Sequence, residues 1–292
     1  MSWRTVVISK PSKLDLKMGY LVVRDSESTV RIHISEISVL IVETTNSSIT
    51  TALLSELIKN KIKVIFCDEK KNPSSELVAY YGCHNSSLKI KSQIKWQEEN
   101  KKKVWTSVVS EKIYQQAKNL DFFNLPEQAS MLYGYIDELK CYDETNREGH
   151  AAKVYFNALF GKEFSRSDEC PVNAALNYGY SLILSCVNRE IVSSGYLTQL
   201  GIFHDNMFNS FNLGCDLMEP FRPVIDKKVK EMDNTTFETE EKREIQTILN
   251  NEFVIDGKRQ TLINTIKIYT KSVLEAIETG DTSLIKYREN EI

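Results

Sequence analysis

The chemistry most legible in this chain sits in one histidine and a few carboxylates. Of the four histidines, His33, His84, His150 and His204, only His204 has a carboxylate pair shortly downstream, Asp216 and Glu219. Those two stand three apart and share a face of any helix that spans both, a spacing that repels itself unless a cation or an arginine is present. Arg222 offers the metal-free answer. Carboxylates with one imidazole suit Mg²⁺ or Mn²⁺ better than zinc, and such a centre suits phosphoryl chemistry. Spacing alone leaves both answers open.

Each of these residues also has an ordinary role. Glu148 follows Thr145 at the spacing of a capping box, in which the Glu side chain accepts the cap residue's N–H; taken alone, the cap is the stronger reading. His150 lies about 200° around the helix from Glu148 and would not share an ion with it. His204 ends the apolar stretch Gly201-Ile202-Phe203 and enters polar Asp205-Asn206, where a ligand could be reached, although in isolation a structural histidine is the better reading. Glu219 precedes Pro220, and proline favours the first turn of a helix, so this carboxylate is expected at a helix mouth with a dipole role. Other catalytic patterns fail: G-x-S-x-G and G-x-G-x-x-G are absent, and Gly161-Lys162 is followed by Glu163 where a phosphate loop needs Ser or Thr.

The elements that must position these residues come in two textures. Thr5 to Ile8, Tyr20 to Val23, Val30 to Ile34, Val39 to Val42, Val64 to Phe66 and Leu77 to Tyr81 are short β-branched or aromatic runs separated by turn residues. Thr50 to Lys59 interrupts them with Leu53, Leu54, Leu57 and Ile58 at helical spacing. After Gly82 the chain turns rich in Lys, Gln, Glu and Leu, and helices are expected over Gln93 to Lys118, Asp121 to Leu139, Asn146 to Phe160, Val172 to Ser193, Pro220 to Met232, Thr239 to Asn250 and Leu262 to Ile277. The expected fold is therefore α+β in two domains: residues 1–85 a β-rich, sandwich-like module, and residues 86–292 a larger all-α catalytic domain.

Composition bounds the function classes. With 41% hydrophobic and 26% charged residues over 292 positions, disorder is excluded as the main state. No apolar run approaches the roughly 20 residues of a membrane span, and the opening does not read as a signal peptide, so a cytoplasmic protein is expected. Six cysteines without a C-x-x-C pair argue against a zinc ribbon or a thioredoxin-like site. A net charge of −3 counts mildly against nucleic acid, so DNA contact needs local basic clusters.

Four ordered blocks carry a resemblance. Thr145-Asn146-Arg147-Glu148-Gly149-His150-Ala151-Ala152-Lys153-Val154-Tyr155-Phe156-Asn157, Asn173-Ala174-Ala175-Leu176-Asn177-Tyr178-Gly179-Tyr180, Gly201-Ile202-Phe203-His204 and Leu217-Met218-Glu219-Pro220-Phe221-Arg222-Pro223 resemble the integrase family of CRISPR adaptation modules, specifically its type II-A members. The likeness runs over essentially the whole chain, including the opening Trp3-Arg4-Thr5-Val6-Val7. It implies a metal site, for Mg²⁺ or Mn²⁺, on Glu148, His204 and Glu219, with Asp216 as an accessory carboxylate. It implies that the β-rich module dimerises, and that such homodimers flank a small second adaptation protein of the same operon in a heterohexamer. In type II-A systems it also implies association with a ring-forming DNA-end-binding protein and the RNA-guided effector nuclease.

The chemistry so implied is transesterification, a 3′-hydroxyl of captured double-stranded DNA attacking a phosphodiester at the leader and repeat. The densest positive stretch is Lys89, Lys91, Lys95, Lys101, Lys102 and Lys103, for which a solvated helix face is an equal alternative. Arg147, Lys153, Arg166, Arg189 and Arg222 lie in or near the blocks and are candidates for phosphate contacts. Two rivals remain: a metal-dependent endonuclease on branched or single-stranded DNA, with water in place of the 3′-hydroxyl, and a non-catalytic DNA-binding scaffold in which Glu148, His204 and Glu219 keep their ordinary roles.

Overall fold

Ile37 to Val42 is buried at every position, and its two faces belong to different cores. In the computed structural model, which describes residues 4–79, 83–233 and 235–289, this strand ties the two halves of the chain together. The N-terminal elements are β1 (Arg4–Ile8), β2 (Lys13–Lys17), β3 (Tyr20–Arg24), β4 (Thr29–His33), β5 (Ile37–Val42), β6 (Ser48–Ile49), α1 (Thr51–Lys59), β7 (Lys63–Cys67) and β8 (Pro73–Glu76). They form two four-stranded sheets, β4-β3-β2-β6 and β1-β5-β7-β8. In the second, β1, β5 and β7 run parallel and β8 antiparallel. Strand side chains alternate between faces. Leu40 and Val42 accordingly meet Leu14, Leu21, Leu53 and Leu57, while Val39 and Ile41 join the helical core. A strand covered on both faces must read apolar throughout, as β5 does.

The rest of the chain contributes α2 (Ser86–Gln93), α3 (Glu98–Phe122), α4 (Pro126–Asp137), α5 (Arg147–Phe160), α6 (Pro171–Ser193), α7 (Asn212–Met218), α8 (Arg222–Glu231), α9 (Thr239–Gln246), β9 (Glu252–Ile255), β10 (Lys258–Thr261), α10 (Leu262–Thr279) and β11 (Arg288–Glu289). The axis is α3, whose Val104, Trp105, Val108, Val109, Ile113, Ala117 and Leu120 are buried, and α4, α5, α8 and α10 pack around it. Among the described residues no helix is long and apolar enough to cross a membrane.

The β-rich start and helical remainder agree with the α+β expectation; three details differ. The expected helix from Gln93 breaks into α2 and α3, because the buried Gln93 amide bonds the carbonyls of Leu197 and Leu200 and Trp96 packs on Tyr196, which turns the chain at 94–97. The strand expected at Leu77 to Tyr81 forms earlier, at Pro73–Glu76, where Glu76 pairs in register with Ile65 and reaches Lys63; Tyr80, Tyr81, Gly82 and the opening Trp3 lie outside the described residues. The C-terminal part is not purely helical, since β10-β9-β11 form a small sheet. Its hairpin turns at Asp256-Gly257, both at positive φ, the dipeptide that a two-residue primed turn prefers.

Candidate active site

Lys112 organises the acidic half of the site. It follows Val104 and Val108 on the buried stripe of α3, so its chain is committed to the interior and its ammonium must find partners there. It finds two: Glu148 Oε1 and Glu219 Oε2, each at 2.5 Å. Arg222 donates from Nε to Glu219 Oε1 at 2.8 Å and lies 4.6 Å over the Tyr180 ring. Burial pushes the Glu219 carboxyl up, but Arg222 and then Lys112 outweigh it and hold it at about 2. For Lys112 burial works downward, and Glu219 and then Glu148 more than compensate, raising it above the ordinary lysine value. Both groups are therefore charged at neutral pH.

The local folding corrects the ordinary readings. Helix α5 begins at Arg147 after Asn146 in the left-handed region, and it is capped by Asp143, whose carboxylate accepts the N–H groups of Arg147 at 2.6 Å and Glu148 at 3.0 Å. The Thr145–Glu148 capping box does not form, and the Glu148 side chain is free to reach Lys112. Glu219 does not sit at an open helix mouth either: α7, a 3-10 turn over Glu219–Phe221 and α8 make one helical run, with Glu219 buried at the join.

His204 forms the other half, on the loop before α7. Its Nδ1 lies 2.6 Å from Asp216 Oδ1, and the ring packs edge-on against Trp105. The Asp216 bond raises the imidazole pKa despite partial burial, with further help from the charges of Asp216, Glu219 and Glu148. Asp216 is fully buried, and it also accepts the backbone N–H groups of Ile202, Phe203 and His204. All its lone pairs being engaged, it orients His204 and shapes the loop, which leaves it no oxygen for the accessory ligation expected of it. Among the described residues, His204 Nε2 has no protein hydrogen bond.

The donor types fit a hard divalent cation, and the buried Glu219 Oε2 has the Lys112 ammonium alone beside it. As they stand, however, no three His, Cys, Asp or Glu side chains among the described residues are gathered as one ligand set. The positive charge between the two carboxylates is that of Lys112.

The basic candidates divide. Lys89 is held by Tyr196 and Glu278, Lys101 by Glu98 and Lys103 by Glu99. Lys91 and Lys95 are exposed on α2 and the following turn, so the six lysines do not share one helix. Lys102 lies 5.6 Å over Tyr142. Near the site, Arg166 bonds Asn177 and Asn173 and lies over Tyr180, Arg147 pairs with Glu138, and Lys153 is exposed. Arg189 turns inward to Glu190 and the Ser38 carbonyl of β5, which makes it a tie between sheet and helix and removes it from the phosphate candidates. Lys112 and Asp143 are the site residues that sequence reasoning missed; the i, i+4 run Val104, Val108, Lys112 was the available signal for the first.

A small two-sheet module joined to a helical body, with two carboxylates and fixed cations drawn together on α3, α5 and the α7–α8 run and an imidazole held by Asp216 on the loop before α7, defines a two-part α+β protein with a polar centre. Residues 5–253 match the family model described as CRISPR associated protein Cas1. This chain belongs to the Cas1 family. It is 35% identical over 229 residues to the CRISPR-associated endonuclease Cas1 of Neisseria meningitidis serogroup C, covering 78% of this chain and 75% of that one. It is 24% identical over 284 residues to an endonuclease Cas1 of Francisella tularensis subsp. novicida, covering 87% and 89%. Among solved structures, a casposase bound to integration product superposes with a TM-score of 0.76 at 18% identity, covering 97% of this chain and 92% of that one. A Cas1 protein from Thermotoga maritima gives 0.72 at 15% identity, covering 99% and 100%. A Cas6-RT-Cas1–Cas2 complex gives 0.72 at 16%, covering 99% of this chain and 36% of that one. These likenesses place the fold among Cas1 structures.

Proposed function

We propose that the chain is a metal-dependent DNA integrase that joins 3′-hydroxyl ends of captured double-stranded DNA into the leader and repeat of a CRISPR array. The observation that carries the reading is the convergence of Glu148 and Glu219 on one buried positive charge, with the His204 imidazole fixed by Asp216 beside them. Mg²⁺ or Mn²⁺ held by Glu148, His204 and Glu219 would polarise the scissile phosphate and favour an attacking 3′-alkoxide. Arg222 and Lys112 contribute fixed positive charge where a phosphoryl transition state gathers negative charge, and Lys112 does so from a buried position. Asp216 holds the ring with Nδ1–H toward itself, which leaves Nε2 to face the reacting group. Arg166 and Lys153 supply phosphate contacts near the chemistry.

The β-rich module is read as the dimerisation surface, and a small Cas2-type protein as the partner between two such dimers, a pairing that the name of the Cas6-RT-Cas1–Cas2 complex supports. The ring-forming DNA-end-binding protein and the RNA-guided effector nuclease of type II-A systems, and a cytoplasmic setting, belong to the same reading. Water at the same centre gives the second reading, an endonuclease, which the names of the relatives favour. Product length separates them. A labelled 3′-hydroxyl fragment incubated with a supercoiled leader-repeat plasmid and the small partner yields longer, joined strands with Mg²⁺ or Mn²⁺ and none with EDTA. Only shortened strands would replace the integrase by the nuclease.

A further inference from the structure

A cavity of about 450 Å³ opens where the C-terminal half of α3, helix α8 and strands β9 and β11 meet. None of Lys112, Glu148, His204 and Glu219 lines it. Its wall residues Lys118 and Phe122 stand about 9 and 15 Å farther along α3 than Lys112, at 1.5 Å of rise per residue. We propose that this cavity binds a free nucleoside monophosphate, with Arg288 on the phosphate. The backbone of Arg288 is fixed, since it pairs opposite Ile255 in the β11–β9 ladder and the neighbouring Tyr287 hydroxyl lies 2.7 Å from that of Ser107. Its guanidinium lies 5.7 Å over the Phe253 ring, yet it has no hydrogen bond or ion pair among the described residues, and Nε is a buried donor without an acceptor. Glu111, whose charge acts on Arg288, is bonded instead by the Gln115 amide at 2.6 Å, and burial lifts its carboxyl to about 7. Burial lowers the guanidinium to about 10, so it is charged at neutral pH. A buried cation left without an acceptor is costly, and an incoming oxyanion relieves it.

The other walls name the class of oxyanion. Lys118 and Lys227 also line the cavity, and neither has a carboxylate partner among the described residues, so three positive charges border one space. A phosphate monoester, with up to two negative charges and three terminal oxygens, matches a guanidinium fork and two ammonium groups better than a single carboxylate does. The volume is that of a small-molecule site. Phe122, 55% exposed on the same wall with Lys227 Nζ 3.4 Å from its centroid, gives a base a ring to stack on. Glu231 and Glu252, exposed and without ion pairs among the described residues, accept from ribose hydroxyls, which are donors. The same two carboxylates oppose the continuous negative charge of a DNA backbone, which selects the free nucleotide over a strand.

The test is calorimetric titration of the full chain, in EDTA, with AMP, with inorganic phosphate and with a blunt DNA duplex, alongside thermal melts. Wild type binds AMP about tenfold more tightly than inorganic phosphate, and the duplex does not displace AMP. Arg288→Gln weakens AMP by about tenfold or more without lowering its own melting temperature, because the charge it removes has no protein partner. Lys227→Glu weakens AMP from a different wall, so the outcome does not hang on one variant folding. His204→Asn, altered in the catalytic centre, binds AMP as wild type does. No binding of AMP at millimolar concentration, or equal affinity in wild type and Arg288→Gln, would overturn the proposal. Equal affinity for AMP and inorganic phosphate would overturn the nucleotide, and displacement of AMP by the duplex would overturn it by assigning the cavity to the path of DNA.

Discussion

Glu219 and Asp226 stand seven residues apart on one helical run, both buried, and their surroundings drive them in opposite directions. Around Glu219, Arg222 and Lys112 overcome burial and hold the carboxyl at about 2. Around Asp226 burial dominates, the Tyr180 hydroxyl, Arg222 and Lys112 only soften it, and the group rises to about 7. Burial by itself neutralises a carboxyl. At Glu219, cations in direct contact keep a formal negative charge inside the protein.

The largest effect should come from erasing the charged member. Glu219→Gln is expected to lower strand transfer at least hundredfold, because it removes a proposed metal ligand and leaves Arg222 without its carboxylate. A turnover within a fewfold of wild type would make the two carboxylates functionally equivalent and break the comparison. Next comes Asp216→Asn, which keeps the shape but deprives His204 of its anionic partner. A loss of roughly ten- to hundredfold is expected, with a downward shift of the imidazole titration followed by NMR.

Asp226→Asn should act on stability and not on chemistry. Its folded pKa lies above the unfolded value, so the native state binds the extra proton; its contribution is full below about pH 4 and lost as pH rises through about 7. The variant should therefore match wild type at about pH 4 and exceed it by roughly 2 to 4 kcal/mol at pH 8, as read by denaturant melts. Equal pH dependence in the two proteins would mean that Asp226 is ionised after all. The smallest effect belongs to the exposed lysines. Lys102→Ala should lower the salt slope of DNA affinity by about one, whereas Lys103→Ala, already paired with Glu99, should barely change it.

How far the sequence disclosed this depends on whether a residue's task is local. Strand β5 and helix α6 were legible, because continuous apolar runs and helical spacing are properties of the segment itself. Glu148, His204 and Glu219 drew attention by type and by the blocks around them, yet the residues alone favoured a cap, a packing histidine and a helix mouth. Asp143 takes the cap from Glu148, and Lys112 joins Glu148 to Glu219 across 36 and 107 positions of chain. Such contacts are set by how α3 packs against α5 and the α7–α8 run, which no window of sequence contains. The Asp256-Gly257 hairpin is a different kind of miss, since its turn signal was local and present.

The most direct test compares joined product from wild type, Glu148→Gln, His204→Asn and Glu219→Gln, with Mn²⁺ present, on a labelled 3′-hydroxyl fragment and a leader-repeat plasmid, alongside thermal melts of each protein. If these three side chains form one phosphoryl-transfer centre, each substitution abolishes joining to within about a hundredth of wild type, while His204→Asn, on a half-exposed loop, melts with the wild type. Joined product at wild-type levels from a folded Glu219→Gln would contradict the account.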